Sequence, residues 1–285
     1  MKPDMKLNDD WFTEVCPESG SAFSLKLKKK LHEEQTPFQH IEIYETEFFG
    51  TLMVIDGFIM LSDYDNFLYH EMMSHPALFT HPNPERVVII GGGDCGTLRE
   101  VLKHSGVKQA IQVEIDERVT RLAERFFPEL CESNEDPRAE LLFADGIRWV
   151  KEAEAGSVDV IIVDSTDPIG PAEGLFSAVF YRDCFRALGD DGIVVHQSES
   201  PLIHQQLIRE MKNAMHEAGF RQIQTLHFPQ PVYPSGWWST TMAGKGESLT
   251  HFREEAASNK PFTTRYYNDA IHRAALAVPE FWKTL

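Results

Sequence analysis

The sequence predicts an α/β fold: a doubly wound, mostly parallel, Rossmann-like sheet with a small N-terminal antiparallel β domain. Three observations predict it. Apolar strand runs alternate with helical runs from residue 86 onward, the pattern of a parallel sheet covered by helices on both faces. A glycine-rich stretch, residues 91–96, joins the first of these strands to the first helix. Upstream, residues 38–62 alternate apolar and polar positions between turn residues, as hairpins do. The expected division is residues 1–68 for the β-strand and hairpin domain and 69–285 for the Rossmann-like domain that carries the chemistry.

Residues 1–37 are mixed and polar. Their run Lys26-Leu-Lys-Lys-Lys30 reads as a solvated surface segment, with an anion site as the alternative. In the next segment His40 to Tyr44 alternate, and Gly50 and Asp56-Gly57 supply turns. So small a β segment cannot stand alone and is expected to pack on its neighbour or on a second subunit. Residues 65–80 read as a helix as far as Pro76, because proline removes a helical N–H and clashes with the preceding turn. Strands are expected at 86–90, 110–114, 139–143, 158–163 and 192–196, with helices near 97–104, 116–126, 146–154, 177–188 and 201–218. Strand-like runs at 222–228 and 238–243 and a helix near 269–277 complete the chain.

Composition narrows the function classes. Of 285 residues, 42% are hydrophobic, enough for a sizeable core. No apolar run is long enough to span a bilayer, and the first residues lack a signal-peptide core, so the expected address is the cytoplasm. Cys16, Cys95, Cys131 and Cys184 form no CxxC pair and are expected as free thiols. A net charge of −17 argues against nucleic acid and anionic membrane as partners. It suits a cationic substrate, although solubility alone also explains acidic chains.

The chemistry centres on Val87-Val-Ile-Ile-Gly91-Gly-Gly-Asp94-Cys-Gly96. Gly91, Gly93 and Gly96 satisfy G-x-G-x-x-G, which alone suggests a dinucleotide; a tight turn that binds nothing is the alternative. Asp94 weighs against a pyrophosphate. Two unit charges about 4 Å apart at an effective dielectric near 20 interact by roughly 4 kcal/mol, repulsive for a phosphate and attractive for a sulfonium or ammonium. Asp94 capping the following helix is the plainer reading. Glu114 ends the next strand about twenty residues on, where an acid holds ribose hydroxyls. Asp145-Gly146 follows the third strand and suits either an adenine contact or a helix N-cap. Asp164 closes the fourth strand and Asp167 follows it, either as a ligand-binding acid or as the start of a Pro-containing turn. Ligands of open α/β sheets lie at the carboxyl ends of the strands, so these five acids are expected around one crevice, without basic partners. A polycationic substrate would relieve their repulsion.

GGGDCGTLREV, QVEID, DGIRWV and DSTDPIGPAEGLF resemble the motifs of the spermidine synthases, the polyamine aminopropyltransferases. The resemblance extends through FGTLMVIDGFIMLSDYDNFLYHEMMSHP and PVYPSGWW, and RYYNDAIHRAALAVP is similar to the family's C-terminal helix region. It implies a methyltransferase-type Rossmann-like fold, decarboxylated S-adenosylmethionine as co-substrate and a diamine such as putrescine as acceptor; the exposed apolar faces expected of the small N-terminal β segment separately suggest a homodimer or homotetramer. It further implies that Gln39, Gly91, Gly93, Glu114, Asp145, Gly146 and Pro171 bind the nucleoside side, and that Asp94 grips the donor's aminopropyl ammonium. Tyr69, His70, Asp164, Ser165, Thr166, Asp167 and Tyr233 would line the aminopropyl and diamine channel, with residues 165–175 part of a gate. Two departures stand out: Cys95 replaces a small glycine or alanine, and Trp237-Trp238 is bulky after the PSG turn.

The implied chemistry needs no metal and no further cofactor, because a carbon next to a sulfonium is already activated. Its nucleophile, an alkyl amine with a pKa near 10.4, is protonated at pH 7 and needs a general base. Asp164 is the expected proton acceptor, with Tyr69, His70 and Tyr233 orienting the amine and Asp167 holding the distal ammonium. Cadaverine or a longer amine as acceptor, a methyltransferase using intact S-adenosylmethionine, and a non-catalytic polyamine-binding protein are the competing readings.

Overall fold

A computed structural model describes residues 7–166, 170–246 and 248–284. Five strands, β1 (Trp11–Cys16), β2 (Ser21–Gln35), β3 (His40–Thr46), β4 (Thr51–Ile55) and β5 (Phe58–Ser62), form an antiparallel meander in chain order. The first two correct the sequence reading, which placed no strand before residue 38. Only the first half of β2 carries a period-two pattern, with Phe23, Leu25 and Leu27 turned into an apolar cluster, and the rest is largely solvated, so the alternation is short and easily lost in a polar stretch. Its lysines are exposed, as expected: Lys28 Nζ lies 3.1 Å from Glu45 and Lys30 Nζ 2.7 Å from Glu42 across the ladder, and Lys30 Nζ also lies 2.7 Å from Glu33 on β2 itself.

Ile41, Ile43, Met53, Ile55 and Leu61 from the meander meet Val119, Leu122, Ala123 and Phe127 in one apolar cluster. These last residues lie on or just beyond α3 (Glu117–Phe126), so the small sheet docks on a helix of the larger unit. Between them in the chain runs α1 (Asn66–Thr80), which continues straight through Pro76, contrary to the expected stop. Nearly every residue of α1 is buried, and Ala77, Leu78 and Phe79 beyond the proline are packed into the core. That packing outweighs the one helical hydrogen bond that Pro76 cannot donate.

The large sheet has seven strands. β6 (Arg86–Gly91), α2 (Gly96–Leu102), β7 (Gln109–Glu114), α3, β8 (Ala139–Phe143), α4 (Gly146–Glu152), β9 (Val158–Asp164), α5 (Ala178–Ala187), β10 (Leu188–Gln197) and α6 (Gln205–Ala218) alternate as the sequence predicts. β11 (Gln222–Pro229) and β12 (Trp237–Gly244) complete the sheet in the order β11-β12-β10-β9-β6-β7-β8. β8, β7, β6, β9 and β10 pair in parallel, whereas β12 runs antiparallel to both of its neighbours. The continuous apolar runs of β6 and β9 follow from burial on both faces. Val87, Ile89, Val160 and Ile162 face α1 and α2, and Val88, Ile90, Ile161 and Val163 face α5 and α6. No helix among the described residues is long and apolar enough to cross a membrane.

The C-terminal segment, with α7 (Glu254–Ser258) and α8 (Asp269–Ala275), closes over α1. Its anchor is Glu71, buried on α1, whose carboxylate accepts the backbone N–H groups of Arg265, Tyr266 and Tyr267 at 2.7, 2.9 and 2.7 Å. Removing that acceptor strands the buried Tyr267 donor, at about 1–3 kcal/mol, and frees the part-buried Arg265 and Tyr266 donors at smaller cost. Glu71→Ala is therefore expected to lower the unfolding free energy in urea by roughly 3 kcal/mol, and Glu71→Gln, which keeps one acceptor oxygen, by less.

Candidate active site

Chain topology reverses between β6 and β9, and the residues after the two strands open into a cleft. Gly91 pairs with Asp164 across this junction, and Gly92 N–H donates to the Asp164 carbonyl at 2.7 Å. Gly91 has φ +83°, and a Cβ there would lie 2.2 Å from that carbonyl oxygen, so only glycine lets the strands meet this closely. Gly96 is required for a different reason: a Cβ would lie 2.2 Å from the His70 ring. Cys95 between them adopts φ +69°, a left-handed conformation that glycine adopts more easily. Its buried sulfur receives Gln112 Nε2 at 3.5 Å.

Asp94 lines the cleft and also supports the helix start, so the two readings of this residue are compatible. Its Oδ1 accepts the Gly96 N–H at 2.6 Å and lies 3.1 Å from His70 Nε2. Burial pushes its carboxyl up, but His70, the Gly96 N–H and Arg99 together outweigh burial and hold it below the usual range. His70 is buried too, which disfavours its charge, yet Asp94 and Asp164 raise its pKa. The expected absence of basic partners is thus corrected: His70 sits directly against the acids.

Asp164 has the opposite balance. Tyr69 Oη donates to its Oδ1 at 2.7 Å, and Thr97 Oγ1 donates to its Oδ2 at 2.5 Å. Burial and the nearby Asp94 raise its pKa, and His70 and the two hydroxyls only partly offset them. The two carboxylates at the ends of β6 and β9 therefore have their proton affinities pushed apart.

On the other side of the cleft, Glu114 is nine-tenths buried, and burial pushes its carboxyl up to about 7. Its Oε1 accepts the Asp116 N–H at 2.9 Å. Asp116 caps α3 and receives Thr36 Oγ1 at 2.7 Å and Gln39 Nε2 at 3.0 Å, which fastens Gln39 at the cleft wall. Asp145 caps α4 through the N–H groups of Ile147 and Arg148, and with Gly146 it also lines the cleft. Ser165 and Thr166 line it beyond Asp164. Asp167, and with it part of the gate at 165–175, lies outside the described residues; Pro171 belongs to a short 3-10 helix, Gly170–Phe176.

A side pocket continues past Tyr69, Tyr233 and Met60 to Glu14 and Gln197. Tyr233 Oη donates to the Met60 carbonyl, and its ring meets Tyr69 edge-on at 6.0 Å and Trp238 at 4.7 Å. Of the two bulky residues, Trp238 is buried in the wall of this pocket, whereas Trp237 turns to His227 and Phe281. Sequence reasoning missed Thr97, Asp116, Glu14 and Gln197. Asp116 had a legible signal, an acid at the very start of the helix expected at 116–126, where an N-cap belongs; Glu14 had none without β1.

Comparison with known proteins follows the same outline. The family model for the spermine/spermidine synthase domain matches residues 66–253, and that for the spermidine synthase tetramerisation domain matches residues 10–63. The polyamine aminopropyltransferase of Methylococcus capsulatus is 70% identical over 273 residues, covering 96% of this chain and 95% of its own. That of Nitrosococcus oceani is 69% identical over 271 residues, covering 95% of each. A spermidine synthase crystallised with the transition-state analogue AdoDATO superposes with a TM-score of 0.93 at 34% identity, over 100% of this chain and 97% of its own. The spermidine synthase of Thermotoga maritima gives 0.91 at 35% identity, over 99% and 95%. With its Rossmann-like sheet, its N-terminal meander and its paired acids at the strand junction, the chain belongs to the spermine/spermidine synthase family and is an aminopropyltransferase of polyamine biosynthesis.

Proposed function

We propose that the enzyme transfers the aminopropyl group of decarboxylated S-adenosylmethionine to putrescine, giving spermidine and 5′-methylthioadenosine. The observation that carries this reading is a pair of neighbouring carboxylates with unlike partners: partly buried Asp94 has His70 Nε2 at 3.1 Å and lies below the usual carboxylate range, whereas buried Asp164 has only the hydroxyls of Tyr69 and Thr97 on its oxygens and lies above it. Two neighbouring acids with separated pKa values divide two tasks. Asp94 binds a permanent or stubborn cation, the donor's ammonium. Asp164 has the proton affinity to take a proton from the attacking amine.

The nucleoside end falls to Glu114, Gln39, Asp145 and Gly146, which surround the cleft on the β7 and β8 side. Tyr69 and Tyr233 flank the passage between the cleft and its side pocket, where an extended diamine fits with its reacting nitrogen toward Asp164. Asp167 is proposed to hold the distal ammonium from the gate. The step itself is an in-line displacement: the amine lone pair forms a bond to the carbon beside the sulfonium, the C–S bond breaks, and its electron pair leaves neutral thioether sulfur. The proton released by the amine passes to Asp164. Alignment of amine and donor in the cleft supplies much of the rate. The residues 10–63 resemblance supports a tetramer of this chain, which sizing of the purified protein tests.

Asp164→Asn is expected to lower kcat by about 100-fold or more, the scale of a lost general base, while binding of 5′-methylthioadenosine survives. Near-normal turnover contradicts the role given to Asp164. Asp94→Asn is expected to raise the donor KM by about 10- to 100-fold and to narrow the preference for the decarboxylated donor over intact S-adenosylmethionine, whose carboxylate the wild-type residue repels. Steady-state kinetics with both donors, and mass analysis of products from a panel of diamines, measure these outcomes. Because Asp164 acts only when ionised and its pKa is raised, kcat/KM is expected to fall on acidification through an acid limb lying above the ordinary carboxylate range.

A further inference from the structure

Thr97 stands on the first turn of α2, three residues after Asp94, and is fully buried. Its Oγ1 donates to Asp164 Oδ2 at 2.5 Å. An ionised carboxylate has no hydrogen to give, so the hydroxyl must be the donor while Asp164 is charged. With Tyr69 on Oδ1 at 2.7 Å and the Gly92 N–H on the Asp164 carbonyl at 2.7 Å, three elements grip one residue: α1, the glycine loop and α2. The glycine loop and the first turn of α2 therefore hold the carboxylate that faces the donor, Asp94, and also the one that faces the amine.

We propose that Thr97 is a positioning residue for the transfer reaction: its hydroxyl fixes the Oδ2 edge of Asp164, sets how strongly that carboxylate competes for the amine proton, and ties its orientation to the donor loop. The inference rests on the reading of Asp164 as proton acceptor. A hydrogen bond to a carboxylate is stronger than the same bond to the neutral acid, so Thr97 favours the ionised form. It acts against the other groups that face Asp164. Asp94 from the glycine loop and Glu114 from β7 disfavour a further negative charge, and His70 from α1 favours one. Tyr69, also from α1, donates alongside Thr97, and Tyr233 lies behind it. Without the hydroxyl, Asp164 holds its proton to higher pH and turns more freely about its side-chain bonds.

The test compares Thr97→Val, which keeps the shape, with Thr97→Ser, which keeps the hydroxyl. Thr97→Val is expected to move the acid limb of kcat/KM upward by about one pH unit and to lower kcat by about tenfold, with the donor KM within about twofold of wild type. Thr97→Ser is expected to restore the position of the limb. Binding of 5′-methylthioadenosine and thermal unfolding of each variant check that the cleft is intact; should Thr97→Val not fold, Thr97→Ala takes its place in the same comparison. An unmoved acid limb in the valine or alanine variant, or a serine variant that behaves like valine, overturns the proposal. In the Asp164→Asn background the Thr97→Val change is expected to cost nothing further in kcat, and a second tenfold loss there also overturns it. Near-wild-type turnover of Asp164→Asn alone would instead remove the proton-acceptor reading on which the inference stands, so the two failures are distinguishable.

Discussion

The parallel pairing of Gly91 with Asp164 is the constraint from which the site follows. It sets the ends of β6 and β9 side by side at the point where the sheet changes its direction of winding. A helix cannot cover both strands there, so a crevice opens. The Gly92 N–H on the Asp164 carbonyl fixes the glycine loop to the neighbouring strand as well as to its own. Asp94 and Asp164 are thereby forced into one small volume. Any larger residue at 91 would push against the Asp164 backbone and separate the two loops.

Bringing two acids together in a buried place creates an electrostatic problem, and the structure solves it unequally. Asp94 has a basic neighbour at 3.1 Å and a backbone donor at 2.6 Å; Asp164 has two hydroxyls, which carry no charge. A nearby positive group stabilises an ionised carboxylate more than a neutral donor does. The asymmetry of partners is therefore an asymmetry of proton affinity. The overall charge of −17 adds to this at longer range by favouring cations near the cleft mouth, although the close partners decide the protonation of each acid.

Much of this was legible in the sequence, for identifiable reasons. β6 and β9 are buried on both faces and so are continuous apolar runs; the glycines are demanded by backbone approach; the acids close their strands. Those signals are local. What escaped depended on partners distant in the chain. β2 turns only Phe23, Leu25 and Leu27 inward before its exposed lysine run, too short an alternation to stand out in a polar stretch, and with β1 unassigned Glu14 had no address in the side pocket. Thr97 is an unremarkable helix residue until β9 brings Asp164 to it across 67 positions. His70 read as a channel residue, and its place against Asp94 became visible only when α1 crossed the glycine loop. Pro76 misled because the rule that stops helices at proline is a statement about one hydrogen bond, and the apolar burial on either side of it is larger.

The same buried helix explains how one short segment serves so many contacts. An amphipathic helix spends half its surface on solvent, and only every third or fourth residue reaches a given partner. α1 is enclosed on all sides, so consecutive residues face different protein surfaces. Tyr69 reaches the carboxylate of Asp164, His70 reaches that of Asp94, and Glu71 turns away to collect three backbone donors from the C-terminal segment. Displacing α1 along its axis by a single residue would replace each of these side chains with one that cannot do its work. The clamp at Glu71 therefore does more than close the C-terminus over the core: by fixing the register of α1 it fixes the distances at which Tyr69 and His70 meet the two acids, and through them the separation of proton affinity on which the proposed division of labour depends.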